Sequence, residues 1–278
     1  MKILVTGATG FIGNYVIEEL LKRECQVIAT SRNTEKAKEK SWFKKVIFVE
    51  HDLNAVEDNL FHKFHEPDLL IHLAWNGLPN YKKLFHIETE LMNQYNFIKN
   101  LIVSGLTNIN ITGTCFEYGM LDGQLSEEMV VNPQNPYAIA KNSLRIFIEQ
   151  LQREYSFNFK WMRLFYMFGK GQNENAILPQ LQNAIDRNET VFNMSLGEQI
   201  RDYLSIEEIA QHIVNVSLQN NTQGIINISS NEPIKIIELV KKYLLDTKQT
   251  ISLNLGFYPY PDYEPFSFWG DNSKLKNI

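Results

Sequence analysis

The sequence predicts an α/β protein with a Rossmann-type, doubly wound parallel sheet and a smaller C-terminal lobe. Apolar β-like segments alternate with amphipathic helical segments, and the first strand runs directly into glycines spaced three apart at Gly7, Gly10 and Gly13. Such alternation is typical of parallel strands joined by right-handed helical crossovers. We expect a dinucleotide-binding domain over residues 1–168. A substrate lobe over residues 169–278 follows, part of which returns to the main sheet.

The same alternation orders the individual elements. Strands are predicted near residues 2–6, 26–30, 46–50, 68–73, 108–112 and 159–165. Helices are predicted near residues 11–22, 55–64, 85–104 and 136–155. The rhythm then changes to a helix at 176–187, a polar β-like stretch at 190–204, a helix at 206–219, a strand at 224–229 and a helix at 234–246. An aromatic and proline-rich tail ends the chain.

The glycine turn after the first strand is a candidate phosphate-binding loop. Glycines let backbone N–H groups approach a pyrophosphate, and the N-terminus of the following helix adds partial positive charge. A turn that merely needs positive φ is the alternative, but the strand before it and the helix after it favour a dinucleotide. The predicted cofactor contacts in this turn are Gly7, Thr9, Gly10, Phe11, Ile12 and Gly13.

The end of the second strand predicts which dinucleotide binds. An acidic residue about 20 positions after the turn would bind the ribose 2′-hydroxyl of NAD, but Ser31 and Arg32 stand there instead. A guanidinium pairs with the 2′-phosphate of NADP through charge-assisted hydrogen bonds. NADP (NADPH) is therefore predicted, with NAD as the alternative. A solvated arginine at a strand end is the other interpretation of Arg32.

Composition excludes several classes of partner. The chain has 278 residues, a net charge of −5 and 44% hydrophobic residues, so it lacks the basic surface of a nucleic-acid-binding protein. Without a signal peptide or an apolar run long enough to span a membrane, we expect a cytoplasmic protein. Cys25 and Cys115 suggest neither a disulfide framework nor a zinc site. His62 and His65 lack a third ligand nearby, so no metal is predicted.

Three residues carry the predicted chemistry. Tyr137 and Lys141 are one helical turn apart and therefore share a helix face, while Thr114 ends the fifth strand. Ligands of open α/β sheets bind at the carboxyl ends of the strands, where the Thr114 hydroxyl can hold a substrate oxygen in line with Tyr137. A nearby ammonium and an oxidised nicotinamide would lower the pKa of the Tyr137 phenol enough for proton transfer. Alone, this Tyr-x-x-x-Lys spacing would more often be a solvated helix pair.

With these residues in this order, the chain resembles the extended short-chain dehydrogenase/reductase family, also described as NAD-dependent epimerases and dehydratases. The likeness covers nearly the whole chain. Residues 6–13 resemble the family's TGxxGxxG, and residues 112–119 resemble the loop with the catalytic Ser or Thr, which places that role on Thr114. The resemblance implies further cofactor contacts from Asp52, Leu53, Leu73, Ala74 and Trp75, together with Tyr137 and Lys141.

The resemblance also implies a substrate side. Arg201-Asp202-Tyr203 is similar to the family motif whose arginine binds the diphosphate of a nucleotide sugar. Its helix is expected to begin near Ser205. The other implied substrate contacts are Thr114, Cys115, Phe116, Tyr166, Asn175, Phe192 and Asn193. Tyr166 replaces an asparagine that many relatives have, and the tail from Tyr258 to Pro265 lacks an arginine often found there.

Departures from the family pattern narrow the expected reaction. Members that dehydrate the sugar carry Asp-Glu after the catalytic Thr, where this chain has Cys115 and Phe116. Members that epimerise before reducing need a cysteine two residues after the catalytic residue, where Phe116 stands. What remains is NADPH-dependent reduction of a nucleotide-activated 4-keto-6-deoxyhexose, with dTDP-4-dehydro-6-deoxyglucose and dTDP-fucose as the expected substrate and product in surface polysaccharide (O-antigen) synthesis.

Two other functions stay open. A nucleotide-sugar 4-epimerase needs little more than the same three residues, but it holds its NAD tightly and reoxidises it. A non-catalytic NADP-binding sensor would be expected to have lost one of the three. The family resemblance further implies a homodimer in which the helices near 85–104 and 136–155 pair across the axis as a four-helix bundle.

Overall fold

The central element is a seven-stranded, fully parallel sheet with the order β11-β7-β5-β4-β1-β2-β3. It belongs to a computed structural model that describes residues 1–55 and 57–278. The strands of this sheet are β1 (Lys2–Thr6), β2 (Gln26–Ser31), β3 (Ile47–Glu50), β4 (Leu69–His72), β5 (Asn108–Thr114), β7 (Asn158–Leu164) and β11 (Gly224–Ile228). The predicted fold class is therefore confirmed.

Helices cover both faces of the sheet. They are α1 (Phe11–Lys22), α2 (Thr34–Lys38), α3 (Leu60–Lys63), α4 (Leu91–Val103), α5 (Pro136–Leu151), α6 (Ile177–Asp186), α7 (Ile206–Leu218) and α8 (Ile236–Thr247). One π-helical turn (His86–Glu90) leads into α4, and 3₁₀ turns lie at Phe43–Lys45, Cys115–Tyr118 and Leu275–Asn277. None of the described helices is long and apolar enough to cross a membrane.

Two apolar layers hold the helices on the sheet. On one face, α1 and α7 cover side chains such as Val5 and Ile226 in a continuous buried cluster. On the other face, α4 and α5 cover side chains such as Leu4 and Trp161. Because both faces are covered, the inner strands read as nearly continuous apolar runs, while the edge strand β3 is only partly buried.

The C-terminal part of the chain contributes both to the main sheet and to a smaller lobe. Strand β11 pairs in parallel with β7 at the edge of the main sheet. The small sheets are formed by β8 (Tyr166–Phe168), β10 (Ile200–Ser205) and β12 (Pro233–Lys235), by β9 (Val191–Asn193) and β13 (Ser252–Asn254), and by β6 (Gly123–Leu125) and β14 (Phe268–Gly270). A separate apolar cluster under α6 and α8 is the core of this lobe.

Some predicted elements differ in length from the observed ones. The helix predicted at 55–64 covers only Leu60–Lys63, because Asp52 starts a tight turn and Asn59 has a positive φ of 58°. Residue 56 lies outside the described residues. The helix predicted at 85–104 is a π-helical turn followed by α4. The stretch predicted at 190–204 is two short strands, separated by a turn at Gly197, where φ is +71°.

Candidate active site

A cleft of about 700 Å³ opens at the carboxyl edge of the main sheet. The strand order reverses between β1 and β4, which lie side by side although their connections run to opposite sides. Loops that leave the two strands diverge at such a switch point, and ligands of open α/β sheets bind there. The cleft therefore lies where this fold places a dinucleotide.

Twelve of the 23 predicted site residues line this cleft. They are Gly7, Gly10, Phe11, Ile12, Gly13, Leu73, Trp75, Thr114, Cys115, Phe116, Tyr137 and Tyr166. The remaining predicted residues are not part of its lining: Thr9, Ser31, Arg32, Asp52, Leu53, Ala74, Lys141, Asn175, Phe192, Asn193 and Arg201. Their functional roles stay predictions. Lys36, Tyr81 and the segment Gly171–Asn173 also line the cleft, although they were not predicted as site residues.

The glycine turn has the shape that close backbone approach requires. Gly7 has a φ of +68°, and a side chain at Gly13 would place its Cβ 2.2 Å from the Gly7 carbonyl oxygen. Gly10 occupies the N-cap of α1 and has no side chain to cap the helix. The first N–H groups of α1 therefore point into the cleft as donors for an anion. A cradle that any Cβ would fill fits the pyrophosphate of a dinucleotide.

Thr6 ties this turn to the end of β4. Its hydroxyl hydrogen-bonds His72 Nδ1 at 2.9 Å and accepts the backbone N–H groups of Leu73 and Ala74 at 3.2 and 3.3 Å. Ala74 lies so close to Gly7 that a Cβ on residue 7 would be 3.0 Å from the Ala74 amide nitrogen. The predicted contacts Leu73 and Ala74 thus form the wall beside the glycine turn.

The end of β2 is the expected adenosine side. The Ser31 hydroxyl lies 2.9 Å from that of Thr9, which places both next to the glycine turn. Arg32 is exposed to solvent beyond Ser31, and Lys36 on α2 reaches the cleft itself. On the neighbouring strand, Glu50 pairs in register with Ser31 and accepts a hydrogen bond from Thr34. Two cations and one carboxylate therefore surround this end of the cleft.

Helix α5 brings Tyr137 and Lys141 to one face, as predicted. The Asn135 side chain caps the helix by accepting the Ala138 N–H at 2.9 Å, and Pro136 fills the first helical position. Tyr137 and Lys141 are both buried, at 7% and 2% exposure. The Lys141 ammonium donates to the Thr112 carbonyl oxygen at 2.8 Å and lies 4.2 Å from the centre of the Trp75 ring.

Burial sets the protonation of these two groups. It raises the pKa of the Tyr137 phenol well above its ordinary value, an effect to which Tyr81, Glu117 and Cys115 add and which Thr114 partly opposes. Burial lowers the pKa of Lys141 to about 7, although two carboxylates favour its charged form. This raised pKa of Tyr137 belongs to the chain alone, where loss of solvent is the largest cause. The lowering expected beside a bound oxidised nicotinamide stays a prediction.

Tyr137 is enclosed by three aromatic rings, of which Trp75 was predicted as a site residue and Tyr81 and His86 were not. The ring centroids of Trp75, Tyr81 and His86 lie 5.8, 5.5 and 5.5 Å from that of Tyr137. His86 Nδ1 accepts the Trp75 indole N–H at 3.1 Å, so its proton is on Nε2, 3.1 Å from the Asn80 carbonyl. The Tyr81 carbonyl accepts the Tyr137 N–H at 3.1 Å. The loop that follows β4 is therefore anchored to α5.

Thr114 ends β5 and starts a 3₁₀ turn. Its hydroxyl oxygen accepts the Phe116 N–H at 3.3 Å, and its own N–H donates to Glu117 at 2.9 Å, which completes a capping box. The Thr114 hydroxyl also faces the Tyr137 phenol, and this contact partly opposes the rise in the pKa of Tyr137. The Thr-x-x-Glu spacing is the one sequence signal that could have identified Glu117.

Aromatic side chains form the opposite wall of the cleft. Phe116 packs against Tyr81, Tyr166 and Tyr263 at centroid distances of 5.1, 6.2 and 6.3 Å. Beside them, the Cys115 thiol is buried, which raises its pKa and keeps it protonated. The tail thus reaches the Tyr137 side of the cleft through Tyr263, and this wall is mainly aromatic.

Arg201 lies behind this wall. It is 1% exposed, donates to the backbone carbonyls of Ile200 and Phe266 at 2.7 and 2.9 Å, and forms an ion pair with Glu264 at 3.1 Å. Tyr166 donates a hydrogen bond to the same carboxylate. Phe192 is in the core of the small lobe. Asn175 is exposed, two residues after Asn173, which lines the cleft. Asn193 pairs with Asn254.

The parallel sheet with a glycine turn at its switch point is the architecture of dinucleotide-binding α/β proteins. The chain belongs to the NAD dependent epimerase/dehydratase family, whose model matches residues 3–229. This membership confirms the predicted family. It places the chain among NAD-dependent enzymes that modify nucleotide sugars.

Individual relatives agree with that assignment. The chain is 28% identical over 272 residues to dTDP-6-deoxy-L-talose 4-dehydrogenase (NAD(+)) of Aggregatibacter actinomycetemcomitans, covering 97% of this chain and 99% of that protein. It is 25% identical over 266 residues to dTDP-4-dehydro-6-deoxyglucose reductase of Escherichia coli, covering 90% and 83%. A solved UDP-N-acetylglucosamine 4-epimerase from Methanobrevibacter ruminantium M1 has the same fold, with a TM-score of 0.87, 21% identity and coverage of 99% and 90%.

Proposed function

We propose that this protein reduces the C4 keto group of a nucleotide-activated 4-keto-6-deoxyhexose with NADPH. The proposed substrate is dTDP-4-dehydro-6-deoxyglucose, and the proposed product is dTDP-fucose for surface polysaccharide. The observation that carries the proposal is the convergence of Thr114 and Tyr137 on one cleft whose other wall is the glycine turn. Two relatives are named for chemistry on dTDP-linked 6-deoxyhexoses, which supports this substrate class.

The part of the wall formed by Cys115 and Phe116 supports a 6-deoxy sugar. Cys115 and Phe116 stand next to Thr114, and burial keeps the thiol protonated. A buried aromatic ring and a neutral thiol favour a methyl group at C6 and disfavour a hydroxyl or carboxylate that would lose its hydration there. Neither group offers the carboxylic acid and base needed to eliminate water. The reaction therefore stops at oxidoreduction.

The protonation states of the site residues support reduction. Because burial keeps Tyr137 neutral, its phenol holds the proton that the sugar O4 needs as the carbonyl carbon is reduced. The Thr114 hydroxyl, whose oxygen accepts the Phe116 N–H, donates its proton to the same O4 when the sugar is bound and so orients the carbonyl. Lys141 stabilises the tyrosinate that forms and holds the cofactor ribose. A bound reduced nicotinamide supplies the hydride to C4.

Arg201 is the proposed partner of the substrate diphosphate, with Asn175, Phe192 and Asn193 as further nucleotide contacts. Its guanidinium is already oriented by two backbone carbonyls and by Glu264. Such fixed geometry reduces the entropy lost when a second anion binds the remaining N–H groups. Since Arg201 lies behind Tyr166, we expect that ring and the tail to shift when the nucleotide sugar binds.

NADPH is the proposed reductant, and NADH is the alternative. Arg32 and Lys36 supply two cations near Ser31, which supports binding of a 2′-phosphate. Glu50 lies on the neighbouring strand in register with Ser31 and favours the uncharged ribose of NADH. The name of the Aggregatibacter relative specifies NAD(+), which also supports the alternative.

The test is consumption of NADPH or NADH with a panel of nucleotide-linked 4-keto-6-deoxy sugars, each made in place by its own dehydratase. The account predicts stoichiometric consumption with the dTDP sugar. A 4-epimerase would instead keep its NAD through purification and interconvert C4 epimers without net consumption. A non-catalytic sensor would bind the cofactor and turn over none of the sugars, and either result would contradict the proposal.

A further inference from the structure

Glu117 is a buried carboxylate directly behind the predicted catalytic threonine. It is 0% exposed and accepts hydrogen bonds from the Thr114 N–H at 2.9 Å and the Arg163 Nε at 2.8 Å. The Trp161 indole N–H lies 2.9 and 3.0 Å from its two oxygens. Three donors from two neighbouring strands therefore fix this carboxylate in one orientation.

The contact between Glu117 and Trp161 crosses the strand at Gly113. A Cβ at that position would lie 2.5 Å from Glu117 Oε1 and 2.2 Å from Trp161 Nε1. Neither neighbour can withdraw, because both side chains are buried and hydrogen-bonded to each other. A glycine at residue 113 therefore leaves the space in which the Glu117 carboxylate meets the Trp161 indole.

Lys141 contacts the backbone of the same strand segment. Its ammonium donates to the Thr112 carbonyl oxygen, while Glu117 accepts from the Thr114 N–H. The three residues Thr112, Gly113 and Thr114 are therefore clamped between a buried cation and a buried anion. Any change in the carboxylate is transmitted to the Thr114 hydroxyl and to the surroundings of Lys141.

Other charged or titratable groups near Lys141 come from β4, the π-helical turn and α5 itself. Glu90, in the π-helical turn, is the second carboxylate that favours its cationic form. His72 on β4 and His86 beside Trp75 stay neutral, because burial lowers the pKa of both. Tyr137 on the same helix face is neutral as well. The carboxylates of Glu117 and Glu90 therefore raise the pKa of Lys141, against the lowering caused by burial.

We propose that Glu117 is a positioning residue for this reaction: its carboxylate fixes the backbone that carries Thr114 and provides the negative charge that keeps Lys141 cationic beside Tyr137. The inference rests on the proposed function, which assigns Thr114, Tyr137 and Lys141 to the reaction. Arg163 compensates the charge of Glu117 from the far side and keeps the pair buried. A purely structural pair would make the same contacts but would leave the ionisation of the reacting groups unchanged.

The decisive readout is the pH dependence of kcat/KM in the Glu117→Gln variant. Glutamine keeps the shape but removes the charge, so the pKa values of Lys141 and Tyr137 both fall. The reaction needs a cationic lysine and a neutral phenol, so activity should decline from a lower pH upward than in wild type. We expect the alkaline limb of the kcat/KM profile to move by about one pH unit toward acid. Glu117→Asp keeps the charge and should keep the wild-type limb, although its kcat falls.

Trp161→Phe is the matched control. It removes one donor to the carboxylate and keeps the charge, so kcat changes without movement of the limb. The new amide of glutamine would face the indole N–H, so a second variant, Glu117→Gln with Trp161→Phe, removes that clash if the single variant does not fold. It should show the shifted limb. A folded uncharged variant whose limb coincides with that of wild type overturns the proposal.

A second readout does not depend on the substrate. Quenching or enhancement of NADPH fluorescence gives the cofactor Kd across the same pH range, and binding should weaken as Lys141 loses its proton. The binding curve of Glu117→Gln should move toward acid by the same amount as the activity limb. If wild type reduces none of the sugars, the proposed function fails, and the binding curves alone decide the role of Glu117.

Discussion

The Lys141 ammonium donates a hydrogen bond to the carbonyl oxygen of Thr112 at 2.8 Å. The two residues come from α5 and β5, so the bond joins the helix with the predicted proton donor to the strand that ends in Thr114. Because the lysine is buried, this carbonyl and the face of the Trp75 ring replace the water that an ammonium usually binds. The contact therefore couples the geometry of the site to the protonation of Lys141.

Stability should depend on pH through Lys141. Burial lowers its pKa from 10.5 to about 7 in the folded chain, so between these values the unfolded chain binds more protons. The free energy of unfolding should therefore rise with pH across that window, by about 1.4 kcal/mol per unit of pKa difference at most. Urea unfolding of the cofactor-free protein at several pH values, compared with Lys141→Met, measures this. Parallel pH curves for the two proteins would contradict the shift.

Arg32 should set the choice of cofactor. In Arg32→Asp, the charge-assisted bonds to a 2′-phosphate are replaced by repulsion, so the ratio of kcat/KM for NADPH over NADH should fall by about 10- to 100-fold. Lys38→Asp is the control, because that lysine is exposed on α2, which begins two residues after Arg32, and pairs with Glu35. An unchanged ratio in Arg32→Asp would assign the guanidinium to solvent.

Arg201 should act on the nucleotide sugar and not on the cofactor. Arg201→Lys keeps the positive charge but loses the planar fork, so KM for the nucleotide sugar should rise about tenfold while the Kd of NADPH stays the same. Isothermal titration with both ligands separates the two effects, and thermal unfolding checks that the Glu264 pair still supports the fold. Equal weakening of both ligands would indicate a general structural role.

The outer face of α4 and α5 should form a dimer interface. Met92, Ile139, Ile146 and Phe147 are all between 37% and 43% exposed, and Phe147 packs against Tyr95 across the two helices. Four exposed apolar side chains on adjacent helices favour a four-helix contact between two copies. Light scattering should give a dimer for wild type and a monomer for Phe147→Glu. A monomeric wild type would exclude the dimer.

Sequence patterns predicted the main sheet well because its strands are apolar on both faces. Val5, Ile28 and Ile71 stand in short apolar runs between polar turns, so their strand boundaries agree with the structure within one or two residues. The short strands β6, β8 and β14 were missed. Their pairing partners are far away in the chain, and three-residue segments carry too little periodicity to be recognised.

The site was predictable only where a residue acts through a local pattern. The glycine turn and the Tyr137–Lys141 spacing are local, so both were found. The aromatic ring of Tyr81 and the carboxylate of Glu264 enter the site through tertiary packing, which leaves no mark in neighbouring residues. Glu117 contacts Thr114 locally, and its Thr-x-x-Glu spacing was overlooked. The raised pKa of Tyr137 was likewise unpredictable, because burial is a property of the folded chain.

The central claim is that Tyr137 delivers the proton in a nicotinamide-dependent reduction at C4. It is tested most directly by comparing wild type with Tyr137→Phe in single-turnover reduction of dTDP-4-dehydro-6-deoxyglucose, with NADPH binding measured on the same samples. The account predicts a rate loss of about 10²- to 10⁴-fold with an unchanged Kd for NADPH. A Tyr137→Phe enzyme that reduces the sugar at a near-normal rate would contradict it.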